Sequence, residues 1–334
     1  MAVKKVAVIG AGSWGTTLAN LLAEKKHCQV YLWVREPELL HELQEKQENT
    51  WYLPGVKLCL SLKYSSDLQE VLHGANFFVL AVPTQYIRTI LSEVRDCFPF
   101  EPIIICASKG IEIKYLKPLS EVITEVLGDK SPVYASLSGP SFAKEVSQKL
   151  PTAVSLGCSR EDVGREAQQL FSTTYFRVYY NSDYRGVELG GALKNVIALA
   201  AGISDGLGFG HDARAGLITR GLAEMSRLGV ALGAKERTFM GLSGLGDLVL
   251  TCTGDLSRNR QVGLRLGKGE KLSDIINSMR MVAEGVKTTE AVYLLARKLG
   301  VEMPITKQIY EILYQNKDPR TAVQELMERS LKEE

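Results

Sequence analysis

No two cysteines in this chain are spaced as CxxC, and only four histidines occur in 334 residues. Cys28, Cys59, Cys97, Cys106, Cys158 and Cys252 are scattered. That pattern argues against a zinc site, leaves metal out of the expected cofactors and points to a reducing compartment, hence a cytoplasmic location. A strong charge of either sign is also missing. The net charge of +2 gives no general drive toward nucleic acid or membrane. Any power to bind anions must come from local placement. No stretch is expected to supply the ~20 apolar residues of a membrane span. The apolar run after Lys4 and Lys5 is cut by glycines too early for the core of a signal peptide. Repeats and low-complexity linkers are lacking as well. What remains is an ordinary globular composition, 45% hydrophobic and 23% charged, with length enough for two domains.

The stretch from Lys4 to Leu22 organises the first half. Lys5 to Gly10 carries Val6, Val8 and Ile9 and reads as a short buried strand. Glycines follow as Gly10-x-Gly12-x-x-Gly15, and an Ala/Leu-rich helical pattern comes next. This is the dinucleotide fingerprint: one glycine for the tight turn, one for backbone approach to a pyrophosphate, one for helix-on-strand packing. Phosphates would sit on the N–H groups at the helix start. A glycine-rich turn without a ligand uses the same residues, but the strand before it and the helix after it favour the cofactor.

Strand runs recur at Gln29–Val34, Asn76–Ala81, Ile103–Ala107 and Val133–Leu137, each closed by a turn and separated by helical stretches such as Pro37–Gln47. Such alternation predicts parallel βαβ units, with ligands beyond the carboxyl ends of the strands. The residues to watch are therefore Gly12 to Trp14, Arg35, Pro83, Lys109 and Ser138 to Ser141. Past Gly186 helical periodicity takes over, in Glu188–Ser204, Arg214–Leu232, Leu272–Met279, Thr288–Leu299, Thr306–Tyr314 and Thr321–Ser330. The expected architecture is an α/β dinucleotide-binding domain over residues 1–185 and an all-α domain over residues 186–334, with a cleft where they meet.

Five positions stand out for chemistry. Lys194 falls off the Leu193/Ile197 face of its helix, beside Val187, Gly190, Gly191, Ala198 and Ala201. Two glycines inside a helix cost roughly 1 kcal/mol each, so something should compensate. Close approach of a ligand or of another backbone would do so equally well, and a solvated lysine fits the spacing too. Arg258 follows Ser257, a plausible N-cap, so guanidinium and amide donors gather at a helix start, where a phosphate or plain water fits. Asp247 closes the glycine-rich run from Gly241, read as a loop around a ligand or as a capping aspartate. Lys109 follows an apolar strand and is either ligand-facing or a solvated loop residue. Arg35 lies about twenty residues past Gly15, where an acid usually meets the ribose; arginine there suits a 2′-phosphate, although Glu36 is adjacent. The balance leans to NADPH without excluding NADH.

Taken together these motifs closely resemble the bacterial-type NAD(P)-dependent glycerol-3-phosphate dehydrogenases. The resemblance rests on GAGSWGT at Gly10, VPTQYIR at Val82, SKGIE at Ser108, LSGPSFAKEV at Leu137 and GVELGGALKNVIALAAGISDGLG at Gly186. GLSGLGDLVLTCT at Gly241, SRNRQVG at Ser257 and MVAEGVKT at Met281 extend it almost end to end. It implies a Rossmann-type first domain and a helical second domain similar to the C-terminal domain of 6-phosphogluconate dehydrogenase, usually as a homodimer. It implies reduction of dihydroxyacetone phosphate to sn-glycerol 3-phosphate with NAD(P)H, for glycerophospholipid synthesis. By the same resemblance Lys194 is the catalytic acid/base. Gly10, Gly12, Ser13, Trp14, Gly15, Arg35, Ala143, Val282 and Glu284 would contact the cofactor, with Lys109 and Arg258 shared between cofactor and substrate. Gly139, Ser141, Asp247, Ser257 and Asn259 would complete the substrate site, with Asn195 and Thr251 as further contributors. A 6-phosphogluconate-type enzyme is disfavoured, because K-x-x-N would need asparagine at the third residue after Lys194, which is Ile197. A non-catalytic redox sensor would not need Lys194, Asp247, Arg258 and Lys109 together.

Overall fold

The computed structural model describes residues 3–279, 282–331 and 333. Met281, which opens the last matched motif, lies outside the described residues. The chain begins with β1 (Lys4–Ile9), α1 (Ser13–Ala23), β2 (Cys28–Trp33), α2 (Pro37–Lys46), β3 (Lys63–Ser65), α3 (Leu68–Leu72), β4 (Phe77–Leu80), α4 (Ile87–Glu93) and β5 (Ile103–Cys106). The two-residue strands β6 (Ile111–Glu112) and β7 (Lys117–Pro118) precede α5 (Leu119–Leu127), β8 (Val133–Ser138), α6 (Ala143–Ser147), β9 (Thr152–Cys158), α7 (Glu161–Phe171) and β10 (Phe176–Asn181). Chain contacts gather into two compact units, one running to Lys109 with Lys117–Glu188, the other comprising Gly110–Leu116 and the chain from Leu189.

In the first unit a sheet is ordered β10-β9-β8-β5-β4-β1-β2-β3. Its central strands β1, β4 and β5 are apolar on successive residues because both faces are covered. Val6 and Val8 of β1 join Leu18, Leu22, Val30 and Leu32 on one side. Ala7 and Ile9 join Phe78, Leu80, Ile104 and Ile123 on the other. A strand buried on both faces reads as a continuous apolar run rather than an alternation. Val8 pairs with Leu32 of β2 and with Val79 of β4, both parallel. The strand order therefore reverses about β1, and ligands of such sheets bind beyond the carboxyl ends there.

The sheet departs from the expected all-parallel form at one edge. β9 runs antiparallel to β8, while β10 is parallel to β9. The cause lies in the connection. After β8 the chain makes the five-residue α6, which packs on α1 at the end of the sheet where β8 finishes. The chain re-enters from that same end, so β9 must run back.

The second unit is built on α8 (Tyr184–Gly206), which starts in the first unit. It is followed by α9 (His211–Ala231), α10 (Glu236–Phe239), a π-helical turn at Leu242–Gly246, α11 (Asp247–Thr253), α12 (Arg258–Gly267), α13 (Leu272–Asn277), α14 (Glu284–Leu299), α15 (Pro304–Gln315) and α16 (Pro319–Met327). Contrary to the expectation from the sequence, α8 is long and apolar enough by composition to cross a membrane, with a mean hydropathy of 1.3. Its apolar window is fully buried inside the protein, so its composition is that of a core helix. The glycine-rich run at Gly241 is likewise a helical turn and not an open loop.

Glycine sets how close the partners of α8 come. A Cβ on Gly202 would strike Arg260 O of α12, and one on Gly263 of α12 would strike Leu199 O of α8. Two helix backbones are thus in mutual contact. On α9, Glu224 is 2% exposed and accepts from the N–H groups of Ile305, at 2.6 Å, and Thr306, at 3.1 Å, capping the start of α15. Burial pushes its carboxyl up to about 7, although those donors favour the anion.

Gly202→Ala should lower stability by about 1–3 kcal/mol through overpacking. Gly216→Ala, at an exposed position of α9 with open space at its Cβ, should raise it by about 1 kcal/mol. Urea midpoints check both, and equal effects would contradict the backbone contact. An unfolded glutamate titrates at about pH 4.3, so the folded state holds the Glu224 proton more tightly. Its stabilisation is complete below that pH and is lost as pH rises toward 7. The stability of Glu224→Gln relative to the parent should therefore improve by about 3 kcal/mol between acid and neutral pH; a difference that does not change with pH would show that folding does not raise the affinity of this carboxyl for its proton.

Candidate active site

In the first unit β1 runs into Gly10, whose φ is +115°. A Cβ there would lie 2.7 Å from Ala81 O and from Val82 Cγ1. One on Gly15 would strike the Gly10 carbonyl oxygen. Gly12, by contrast, opens on free space. It precedes α1 without a side-chain cap, and the first turn of α1 holds no acid. Turn, open approach and packing are therefore divided among the three glycines as their spacing predicts. A helix start without a side-chain cap beside an open glycine is the surrounding a dinucleotide phosphate requires, so the residues fit that group.

Ser13 and Trp14 lie in that first turn and are partly exposed. The Trp14 ring sits 6.4 Å from that of Phe176, and its Nε1 is buried without a hydrogen-bond partner. The Thr17 hydroxyl lies 2.8 Å from Ser13 O and 3.3 Å from Ala143 O, which draws the start of α6 to α1. Arg35 stands exposed just past β2, its guanidinium 2.6 Å from Glu36 Oε1. The two candidates at this position are thus paired with each other. Lys109, Gly139 and Ser141 converge on one atom. The ammonium donates to Gly139 O at 3.2 Å and the Ser141 hydroxyl donates to it at 3.0 Å. Gly139 has φ +145°, and a Cβ there would lie 2.8 Å from Val154 Cα, so glycine is required.

In the second unit Lys194 does not face water. The wheel locates the core side of α8 correctly, but the remaining sides are covered as well. Its ammonium donates to Asp247 Oδ1 at 2.5 Å and to Thr251 Oγ1 at 2.7 Å. The two ionic side chains are 8% and 2% exposed. The Thr251 hydroxyl donates in turn to Asp247 O at 2.6 Å, one helical turn back. Asp247 reaches this place because Gly190 lets the π-helical turn lie on α8: a Cβ there would be 2.6 Å from Ser243 O. That contact is the compensation which glycine inside a helix demands. Cys252, next to Thr251, is pushed up to about 12 by burial and stays a thiol despite the lysine charge.

The start of α12 forms a second cluster. The Ser257 hydroxyl accepts from Arg260 N at 3.2 Å, the N-cap its sequence predicts. Arg258 donates to Val282 O at 2.7 Å. Burial lowers the pKa of its guanidinium, against the opposing pull of the Glu284 charge. Asn259 acts as a brace. Its Nδ2 donates to Asn195 Oδ1 at 2.9 Å, and its Oδ1 accepts from Gly285 N at 3.0 Å. Gly285 is a part of this site that spacing does not reveal: a Cβ there would lie 2.8 Å from both Asn195 O and Asn259 Oδ1. The second unit thus brings Lys194, Asp247 and Thr251 into one cluster, and Asn195, Asn259 and the start of α14 into another. Among the described residues no three His, Cys, Asp or Glu side chains gather as a metal site.

Comparison with known proteins gives a consistent result. A profile of the N-terminus of NAD-dependent glycerol-3-phosphate dehydrogenase matches residues 5–164. A profile of the C-terminus of the same proteins matches residues 183–324. The chain is 60% identical over 330 residues to the glycerol-3-phosphate dehydrogenase (NAD(P)+) of Maridesulfovibrio salexigens, covering 99% of this chain and 100% of the relative. It is 59% identical to the protein of that name from Solidesulfovibrio magneticus, with the same coverage. The crystal structure of glycerol-3-phosphate dehydrogenase from Coxiella burnetii superposes with a TM-score of 0.94 at 42% identity, covering 98% of this chain and 99% of that one. The structure of glycerol-3-phosphate dehydrogenase from Saccharomyces cerevisiae superposes with a TM-score of 0.84 at 28% identity, covering 98% of this chain and 100% of that one.

Removing one partner of a buried ion pair leaves an uncompensated charge. Asp247→Leu should cost about 3–5 kcal/mol of stability, and Lys194→Met added to it should restore most of that. Denaturation midpoints of the three proteins check this; a double variant no better than the single one would show that the pair is not the source of the loss.

Proposed function

Because the chain belongs to the NAD-dependent glycerol-3-phosphate dehydrogenase family, we propose that it interconverts dihydroxyacetone phosphate and sn-glycerol 3-phosphate with NAD(P)H. The observation that carries the reading is the Lys194 ammonium held by Asp247 and Thr251 in a chain that matches the family in both halves. Residues 1–185 serve the dinucleotide, and residues 186–334 supply the acid/base and the substrate contacts. Bound NAD(P)H supplies a hydride from its nicotinamide. Lys194 stabilises the negative charge that grows on the carbonyl oxygen of the substrate and gives that oxygen its proton. In the reverse direction it takes the proton from the C2 hydroxyl. Asp247 and Thr251 hold the ammonium in one orientation, so that no reorganisation is needed as charge develops.

Arg258 and the N–H groups at the start of α12 take the phosphate. Asn259 keeps that helix start fixed to Asn195. Remote binding of the phosphate then places the ketone, which is how an unreactive part of a substrate contributes to rate. Lys109, Gly139 and Ser141 complete the contacts from the first unit, and Val282 and Glu284 serve the cofactor with Arg258. Arg35 accepts a 2′-phosphate once it leaves Glu36, so NADPH is the expected donor, with NADH also used. A homodimer in the cytoplasm, making glycerol 3-phosphate for glycerophospholipids, completes the proposal.

Loss of NADPH or NADH absorbance on adding dihydroxyacetone phosphate, against the same mixture without it, tests the activity. In Lys194→Ala, kcat should fall at least about 100-fold while cofactor affinity stays within about threefold. Near-normal kcat would remove the lysine from the chemistry.

A further inference from the structure

We propose that Asn49 is a positioning residue for the dinucleotide turn, a role that rests on the reading of Gly10–Gly15 as the cofactor site. Asn49 is fully buried in the segment between α2 and β3, 38 residues from the turn it touches. Its Nδ2 donates to Ala11 O at 2.8 Å and to Thr16 Oγ1 at 2.8 Å. Its Oδ1 accepts from Tyr52 N at 3.0 Å, which closes a turn in its own segment. The Thr16 hydroxyl donates to Ala11 O at 3.2 Å, so two side chains meet on that one carbonyl. The segment is itself laced to α1 further along, through Cys59 N on Asn20 Oδ1 at 2.7 Å and Ser61 Oγ on Ala23 O at 2.8 Å.

Ala11 lies between Gly10 and Gly12, the two most permissive residues of the turn. A peptide plane flanked by glycine is free to rotate unless something holds it. The Ala11 carbonyl and the Gly12 N–H share one trans peptide plane and point in opposite directions. Holding the carbonyl inward therefore aims the Gly12 N–H outward, toward the open side where the phosphates bind. Asn49 does this from a buried site in which both of its amide hydrogens and its oxygen are engaged, so it has no alternative arrangement. It need touch no part of the cofactor to raise its affinity.

Titration of the holoprotein-forming chain with NADPH and with NADH, read by tryptophan fluorescence, tests this with steady-state kinetics alongside. Asn49→Asp keeps the acceptor for Tyr52 N but sets an acceptor against Ala11 O. It should weaken both dinucleotides about tenfold and in equal proportion, with kcat and the KM of dihydroxyacetone phosphate within about twofold. Thr16→Val should weaken both about threefold, and the double variant should fall short of the product of the two. Unchanged affinity in folded Asn49→Asp overturns the proposal. So does a change in the NADPH-to-NADH ratio, or a loss of kcat without loss of affinity. Should Asn49→Asp fail to fold, Thr16→Val decides by the same criteria. Failure of the parent chain to bind either dinucleotide would sink the reading of the turn itself, whereas parent binding with unaltered variants sinks the brace alone.

Discussion

An ammonium and a carboxylate 2.5 Å apart and almost wholly out of water set the terms for the second unit. Burying two ions is expensive, several kcal/mol for each, and is repaid only by good geometry and further hydrogen bonds. Here the geometry is complete. Thr251 supplies the second acceptor for Lys194 and ties its own proton to the backbone of Asp247. A lysine that merely filled space would be cheaper as methionine or leucine. The cost is intelligible if the charge is needed at one place, where an oxygen must gain negative charge and then a proton.

That pair in turn demands a scaffold that brings three helical segments together at backbone distance. Side chains would hold them farther apart. Gly190 admits the π-helical turn that carries Asp247, and Gly202 and Gly263 admit α12. The position of Arg258 follows from the second contact, and Asn259 fixes it further by joining Asn195 to the start of α14. The helix-breaking tendency of these glycines is outweighed by the contacts they allow.

Legibility followed how local each cause is. The three glycines of the first turn were readable because each answers to a neighbour a few residues away or to open space. The Ser257 cap was readable for the same reason. The orientation of β9 was not, because it depends on where α6 packs, and no periodicity records that. The run from Gly241 to Gly246 has the composition of a loop and becomes helical only by lying on α8 and against Phe239. The wheel of α8 pointed to its core face but not to its enclosure on every side. Asn49 leaves no signal at all, since a lone asparagine beside a turn is commonplace until its distant carbonyl partner is seen.

In the first unit the same economy appears in neutral form. Amide and hydroxyl groups, not charges, hold the turn after β1, and the start of α1 is left without a side-chain cap. Each unit thus holds a preformed feature: an uncapped helix start beside an open glycine in one, a fixed ammonium in the other. The most direct test of the central claim is a crystal structure with NADP+ and sn-glycerol 3-phosphate bound. The account predicts the Lys194 ammonium within hydrogen-bond distance of the C2 oxygen, still paired with Asp247, and the phosphate on Arg258. An ammonium turned to the phosphate, or out of reach of C2, would contradict it.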